Sequence, residues 1–268
     1  MIEHGAGEHL PPNFLMKFTI ITVAYNSAAT IADTLHSVAA QTYPDIEHIV
    51  IDGASTDNTL AVVESRGAHV GKLVSERDQG IYDAMNKGLA LASGDFVGFL
   101  NADDMLAGPD VVAAIARTAG ATNANAVFGD LVYVNKDRPT ELVRYWRSGA
   151  FAPSRLRFGW MPPHPTLYVR ASLVRALGPF DLRFGIAADY DFILRYFNHP
   201  GIGVAYLPQV LVKMRTGGAS NHSLRALLNK SREDLFALRK NQVGGLLTLV
   251  CKNARKLPQF FSKPPNTP

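Results

Sequence analysis

Acidic side chains follow three stretches of the sequence that have the composition of buried β-strands. Asp52 ends the stretch IEHIVID, Asp78 follows GKLVSE, and the neighbours Asp103 and Asp104 follow DFVGFL. Carboxylates that share one crevice repel one another unless a cation or the hydrogen-bond donors of a ligand offset the repulsion. A single acid in such a place, as at Asp57, is commonly a helix cap, but three acidic strand ends together predict a binding site.

The acids of LNADD (100–104) suit a hard divalent cation. Carboxylate oxygens on a short turn are the ligands with which Mg²⁺ or Mn²⁺ keeps several waters and grips a diphosphate. The sequence contains no GxxxxGK[ST] and no GxGxxG run, so a phosphate ligand would need such a bridging metal. Asp52 is available to accept hydrogen bonds from a base or a ribose, and the two roles together describe a site for a nucleotide diphosphate.

A parallel sheet is needed to bring these acids to one edge. Mostly apolar runs typical of strands alternate with helical patterns, of which the first is preceded by the candidate caps Asn26 and Ser27 and runs to about Gln41. This alternation predicts right-handed βαβ units, an α/β fold and a mainly parallel, Rossmann-like sheet, with ligands beyond the carboxyl ends of the strands. The four predicted strands are 17–25, 46–52, 71–76 and 95–100.

The pattern changes after about residue 122. Helices are predicted near 171–177 and 189–198, and a charged helix from Ser223 to about Lys240 is followed by the apolar stretch 243–251. Further strands are predicted near 125–134, 140–146, 166–170 and 202–215.

Composition narrows the class of protein. The chain has 268 residues, of which 47% are apolar and 19% are charged, as in an ordinary globular protein. Its single cysteine, Cys251, excludes an intramolecular disulfide and a four-cysteine zinc site. We find no apolar run long enough for a transmembrane helix and no secretory signal, so we expect a flexible leader over 1–16 and a cytoplasmic protein.

The positive charge lies in the C-terminal tail, residues 225–268. This tail carries nine Lys or Arg and two Asp or Glu, although the whole chain has a net charge of only +4. A basic tail on a slightly acidic body favours a polyanionic neighbour, whereas the plainer interpretation is a solvated helix face. Because Leu246, Leu247, Leu249 and Val250 lie between the basic residues, the tail also suits an anionic membrane surface. Packing of these residues on the protein's own core or on a second subunit is the alternative.

Five stretches of the sequence resemble family 2 glycosyltransferases, which have the GT-A fold. Within them, ERDQGIYDAMNKG is similar to bacterial enzymes that build exopolysaccharide and other surface glycans. The resemblance implies inverting, metal-dependent, non-processive transfer of a sugar from a nucleotide-diphosphate sugar to a hydroxyl of a glycan or lipid-linked acceptor, with no nucleic acid partner. It divides the domain into a nucleotide-sugar-binding half (17–122), an acceptor half (123–222) and a helical tail (223–268). The resembling stretches are 19–59, 75–104, 164–170, 180–195 and 215–221.

The resemblance also implies roles for single residues. Asp103 matches the second acid of the family's metal motif and Asp104 follows it, whereas Asn101 replaces the first acid, which predicts weaker metal affinity. Asn86 would lie near the phosphates or the sugar, and Arg215 belongs to a loop that would close over the diphosphate. The residues assigned to the donor are Ala24, Tyr25, Asn26, Asp52, Gly53, Ser55, Asp78, Asn86, Asn101, Ala102 and Arg215.

The catalytic base implied by the resemblance is Asp189. In AADYD, Asp189 matches the aspartate of a family Glu-Asp pair and Ala188 replaces the glutamate. Taking a proton from the acceptor hydroxyl as it attacks would contribute about 10²- to 10⁴-fold in rate. Asp191 is the next candidate, and His164 is either a satisfied loop residue or an acceptor-side group.

Two other classes of function compete with the transferase. A non-catalytic nucleotide-sugar-binding or scaffold protein fits the replacements at Asn101 and Ala188. A nucleotidyltransferase would also use an acid-rich crevice, but the absence of a glycine-rich phosphate loop argues against it.

Overall fold

The computed structural model describes residues 16–217 and 224–255. Its first four strands pair in parallel in the order β3-β2-β1-β4, and β1 is buried along its whole length. The predicted parallel sheet is confirmed here, and each strand end lies within one residue of its predicted position. These strands are β1 (Phe18–Ala24), β2 (Ile46–Asp52), β3 (Val70–Ser75) and β4 (Phe96–Phe99).

Helices connect these strands, as right-handed βαβ units require. The first helix begins after Thr30, so Asn26 and Ser27 do not cap it. Asp57, in contrast, holds the first turn of the second helix, because its carboxylate accepts from the Thr59 N–H at 3.0 Å. The fourth helix was not predicted, since alanines occupy many of its buried positions and weaken the apolar pattern. The connecting helices are α1 (Ile31–Ala39), α2 (Thr59–Arg66) and α3 (Ile81–Leu91), and α4 (Val111–Thr122) follows the fourth strand.

The second half extends the same sheet with mixed pairing. β8 (Tyr168–Arg170) runs antiparallel to β4, β6 (Ala126–Val134) runs antiparallel to β8, and β9 (Val204–Arg215) lies parallel to β6. Two shorter strands, β5 (Met105–Leu106) and β7 (Leu142–Trp146), pair antiparallel with β9 and β6. β5 directly follows LNADD, so its pairing with β9 joins this turn to the second half.

Aromatic side chains fill the core between the sheet and the helices of the second half. Trp160 and Tyr168 are 3% and 1% exposed, so both are core residues rather than surfaces for a sugar. The Phe180 and Phe192 rings stack at 4.6 Å, and Phe192 stacks in turn on Tyr196. The helices of this half are α5 (Pro153–Leu156), a 3₁₀ helix (His164–Thr166), α6 (Ala171–Leu177) and α7 (Ala188–Phe197).

Two further helices pack on this half, α8 (Leu224–Lys240) and α9 (Leu246–Ala254). The charged helix predicted from Ser223 is thereby confirmed in position. Lys252 of α9 is buried, binds Asp234 at 2.7 Å and lies 3.3 Å from the centre of the Tyr190 ring. Burial lowers the pKa of Lys252 to about 8, against the opposing charge of Asp234. Lys252 is therefore a core residue and not one of the surface cations that the sequence predicted.

The apolar residues of the tail differ in burial. Leu249 is 7% exposed and packs on the core, whereas Leu246, Leu247 and Val250 are 66%, 78% and 56% exposed. Among residues 16–217 and 224–255, no helix is both long and apolar enough to cross a bilayer. The predicted leader, apart from Met16, and the tail beyond Arg255 lie outside the described residues.

Candidate active site

The carboxyl ends of β1 and β2 meet at Ala24 and Asp52, which are partners in the parallel register. Asp52 is fully buried, and its carboxylate accepts hydrogen bonds from the backbone and hydroxyl of Ser55 and, at 2.7 Å, from the Ser75 hydroxyl. Asp52 therefore fixes the loop after β2 and ties it to the end of β3. Its contact with a base or ribose stays a prediction.

Two residues at this edge adopt the left-handed backbone conformation although neither is glycine. Asn26 has φ +49° and Ala54 has φ +60°, which costs roughly 1–2 kcal/mol for an ordinary residue. Hydrogen bonds hold the pair of loops in place: the Asn26 amide oxygen accepts from the Thr56 N–H at 2.9 Å, and the Ser55 hydroxyl accepts from the Asn26 N–H at 2.8 Å. Strain of this kind is typical of ligand sites.

Tyr25, Gly53 and Asp78 form one continuous surface beside these loops. A Cβ atom at Gly53 would overlap the Asp78 carboxylate and lie 3.4 Å from the Tyr25 ring, so a larger residue there would displace the Asp78 side chain. Tyr25 is 64% exposed, and Asp78 accepts from the N–H of Gly80, where α3 begins, at 2.9 Å. The structure thus brings together three of the residues that were predicted to bind the nucleotide-sugar donor. The surface that Tyr25, Gly53 and Asp78 form is called the donor surface below.

The turn LNADD places its two acids differently. Asp104 is fully buried, and its carboxylate accepts from the Asn101 amide and from the Arg215 N–H, each at 3.3 Å. Burial, followed by the charge of Asp103, raises the pKa of Asp104 well above its usual range. Asp104 was predicted as a metal ligand, but here it holds the turn against β9. Asp103 is half-buried, and burial raises its pKa too.

The turn also carries a buried acceptor with no donor. The side-chain oxygen of Asn101 has no hydrogen-bond partner, and an unsatisfied buried oxygen needs a donor or a cation to offset its lost hydration. Within the part of the chain that the structure describes, no three His, Cys, Asp or Glu side chains cluster as a metal site. A cation beside Asp103 would therefore complete its coordination with ligand oxygens and water, which is how Mg²⁺ is usually bound.

Arg215 supports this turn from within the protein. It is 5% exposed, its guanidinium donates to the Asp103 carbonyl at 2.9 Å and to the Lys136 carbonyl at 3.2 Å, and it pairs with Asp33. These contacts occupy the side chain that was predicted to close over a diphosphate, so in this structure Arg215 positions the LNADD turn. Residues 218–221 of the stretch that begins with Arg215 lie outside the described residues.

Asn86 is likewise engaged with protein. Its amide donates to the Phe180 carbonyl and accepts from the Phe180 N–H, both at 2.9 Å. This pair of bonds joins α3 to the segment before α7. A contact between Asn86 and phosphates or sugar stays a prediction.

Asp189 lies in the first turn of α7 and is half-buried. One carboxylate oxygen lies 2.8 Å from the Tyr190 N–H and 3.3 Å from the Tyr82 hydroxyl, which also lies 2.7 Å from the Ile186 carbonyl. Burial, and then the charge of Asp189, raises the pKa of Tyr82, so the phenol keeps its proton and can donate. Tyr82 was not among the predicted site residues, because only the fold brings it to a residue 107 positions away.

The two neighbouring candidates are both enclosed. Asp191 is fully buried and binds Lys240 at 2.9 Å and the Asn241 amide at 2.8 Å, so it is not available as a base. His164 is 8% exposed and stacks on Phe99 at 5.3 Å. Burial lowers the pKa of His164, against the charge of Asp189, so its imidazole is a neutral member of the aromatic core.

Comparison with known proteins identifies the family. Residues 19–174, more than half of the chain, match Glycosyl transferase family 2. A PGL/p-HBAD biosynthesis glycosyltransferase of Mycobacterium tuberculosis is 37% identical over 209 residues, covering 76% of this chain and 79% of that protein. An uncharacterized glycosyltransferase of the same species is 39% identical over 179 residues, covering 66% and 67%. The chain therefore belongs to glycosyl transferase family 2, as its sequence predicted.

Solved structures confirm the GT-A fold. TarS 1-349 from S. aureus in complex with UDP-GlcNAc aligns with a TM-score of 0.66 at 20% identity, over 85% of this chain and 66% of that one. The mannosyltransferase PcManGT from Pyrobaculum calidifontis, in complex with GDP-Man and Mn²⁺, aligns with a TM-score of 0.63 at 20% identity, over 92% and 73%. The chain thus spans just under two thirds of the TarS chain.

Proposed function

We propose that the chain transfers one sugar per encounter, with inversion, from a nucleotide-diphosphate sugar to a hydroxyl of a glycan or lipid-linked acceptor. The contact between Tyr82 and Asp189 carries this proposal. Tyr82 lies in the first turn of α3, which begins beside Asp78 on the donor surface, and its hydroxyl lies 3.3 Å from the Asp189 carboxylate. A candidate base in the second half is thereby linked directly to the donor surface in the first.

The residues divide the work between the two halves. Residues 17–122 bind the nucleotide-sugar donor. Asp52 fixes the loop after β2, and the exposed Tyr25 ring offers a face on which the nucleobase can stack. Residues 123–222 bind the acceptor, and Asp189 removes the proton from the attacking hydroxyl. Attack from the face opposite the diphosphate, in one displacement, inverts the anomeric carbon.

A divalent cation fits the LNADD turn (100–104). When bound, Mn²⁺ or Mg²⁺ would be held by Asp103, with diphosphate oxygens and water as its other ligands, and would neutralise charge on the departing diphosphate. The buried, partnerless oxygen of Asn101 and the presence of Mn²⁺ with GDP-Man in a structural neighbour support this assignment. Arg215 keeps the turn in position through the Asp103 carbonyl.

A binding protein without catalytic activity remains the second candidate, because Asn101 and Ala188 replace two family acids. Thermal shift followed by turnover separates the two. We expect UDP or GDP, which are the nucleotides named in the neighbours' complexes, to raise Tm more with Mn²⁺ than without it. A ligand at 100 times its Kd adds about 2.7 kcal/mol of stability.

The sugar nucleotide that binds should then be consumed when an acceptor glycolipid or glycan is supplied. Stabilisation by a nucleotide sugar without any turnover, across acceptors of both kinds, would favour the binding protein. No stabilisation by UDP, GDP or their sugars would contradict both functions.

We further propose that α9 attaches the enzyme to an anionic membrane surface, such as the inner face of the plasma membrane, where a lipid-linked acceptor would lie. Leu246, Leu247 and Val250 are exposed together on this helix, and Arg255 follows at its exposed end. Apolar side chains combined with basic groups suit the interfacial region of a bilayer. Lys252 and Lys240 do not contribute, because both are paired within the protein.

Replacing Leu246, Leu247 and Val250 together with asparagine is expected to weaken binding to phosphatidylglycerol vesicles by at least about tenfold, because each such side chain gains roughly 1.5–3 kcal/mol on full burial. Vesicle sedimentation at low and high salt measures the effect. The matched control is asparagine at Leu142 and Val143, which are 46% and 56% exposed on β7. Wild-type protein that ignores anionic vesicles at low salt would refute the membrane proposal.

A further inference from the structure

The helix that carries Asp189 begins at a residue that cannot cap it. The N-cap of α7 is Ala187, which has no side-chain acceptor, and Ile186 and Gly185 precede it. Ser, Thr, Asp or Asn at this position normally accepts a hydrogen bond from the first helical N–H groups. The residue at the N-cap of α7 therefore provides no side-chain hydrogen bond to hold the start of the helix.

Glu233 of α8 holds the three residues that lead into α7 by accepting from their N–H groups. One carboxylate oxygen accepts from the Gly185 N–H at 3.1 Å, and the other accepts from Ile186 and Ala187 at 2.8 and 2.9 Å. Three consecutive backbone N–H groups thus converge on one carboxylate. Asp189 follows two residues after the last of these donors.

The last residue of α8 and the residue after it hold the same turn of α7. Lys240 and Asn241 bind the buried carboxylate of Asp191 at 2.9 and 2.8 Å. Asp191 is two residues beyond Asp189, so contacts from α8 lie on both sides of the proposed base. The backbone before Asp189 is therefore held by Glu233, and the side chain of Asp191 after it is held by Lys240.

We propose that Glu233 is a positioning residue for catalysis, and that α8 holds the turn before α7 so that Asp189 meets the acceptor hydroxyl. This inference rests on the proposed role of Asp189. Without Glu233, the segment 185–187 would lose three backbone contacts, while the donor surface around Tyr25 and Asp78 would be untouched. The chemical step would therefore suffer and donor binding would not.

The test compares Glu233→Ala and Glu233→Gln with the wild-type full chain. We expect Glu233→Ala to lower kcat by about 10- to 100-fold, since small misplacements of reacting groups have effects of this size, with an unchanged donor KM. Glu233→Gln keeps an acceptor oxygen and is expected to retain an intermediate kcat. Amide hydrogen exchange should become faster at Gly185, Ile186 and Ala187. Glu64→Gln, at an exposed position of α2, is the matched control and should change none of these quantities.

The outcomes separate this inference from the proposed function. If Asp189→Asn abolishes transfer but Glu233→Ala keeps wild-type kcat, Glu233 is not a positioning residue. If Asp189→Asn itself transfers normally, the base lies elsewhere and the proposed function of Asp189 fails instead. A Glu233→Ala protein that loses donor binding together with kcat would show a general structural role and would also overturn the inference. Faster exchange at 185–187 with lower kcat and intact donor KM supports it.

Discussion

Asparagine in place of Asp189 is expected to abolish sugar transfer while the protein binds its nucleotide donor as before. Asparagine has nearly the same size and can still accept from the Tyr190 N–H and the Tyr82 hydroxyl, so the turn should be kept. It cannot take up a proton at neutral pH, so the rate should fall by about 10²- to 10⁴-fold. Steady-state transfer and calorimetric binding of the nucleotide diphosphate measure the two effects separately.

Asp110→Asn provides the matched control. Asp110 lies exposed at the start of α4, and an asparagine there can still accept from the Thr42 hydroxyl. Near wild-type transfer by Asp189→Asn would place the base at another group. Asp191 is a poor substitute, because its carboxylate is fully buried and already bound to Lys240 and Asn241.

The first four strands could be predicted because each is a short, mostly apolar run and helical patterns separate the runs. Consecutive strands run parallel because the helix between them makes a crossover connection. The meeting of Asp52, Asp78 and the LNADD turn at one edge follows from that order. In this region local pattern and global fold agree, so sequence reasoning succeeds.

The other contacts of the site are tertiary, and no local pattern encodes them. Arg215 matches a flexible loop by sequence, yet the pairing of β5 with β9 carries it under Asp103. Lys252 belongs to a basic run, yet the packing of α9 buries it beside Asp234. Nothing in the sequence around Ala187 indicates that its acceptor is Glu233, 46 residues away. Such residues are found only when the long-range packing is known.

Ala188 shows how long-range packing affects the choice between a transferase and a non-catalytic protein. Its replacement of a family glutamate keeps the non-catalytic reading open, yet Ala188 is fully buried in the aromatic core cluster. A glutamate at this position would have to be accommodated in that apolar packing. The adjacent Asp189 stays half-exposed and bonded to protein donors, so loss of the glutamate leaves a base candidate in place.

Replacing Asp103 with alanine is expected to remove transfer and the metal dependence of nucleotide binding together. Asp103 is the half-buried acid of the turn, whereas the Asp104 carboxylate is fully buried against Asn101 and Arg215. Loss of the one available carboxylate should remove the protein's main ligand for the cation. The rate should fall by about 10²- to 10³-fold, as when one electrostatic stabiliser of a transition state is lost.

Titration of the nucleotide diphosphate with and without Mn²⁺ measures this prediction, and Asp104→Asn is its matched comparison. Asparagine resembles the protonated acid that burial favours at Asp104, so this variant should keep most of the metal dependence. If Asp104→Asn loses the metal dependence and Asp103→Ala keeps it, the ligand assignment within LNADD is reversed. If both variants bind nucleotide as the wild type does, with the same response to Mn²⁺, the cation is not held by this turn. The contrast between two adjacent aspartates thus tests the metal site without altering any other part of the donor surface.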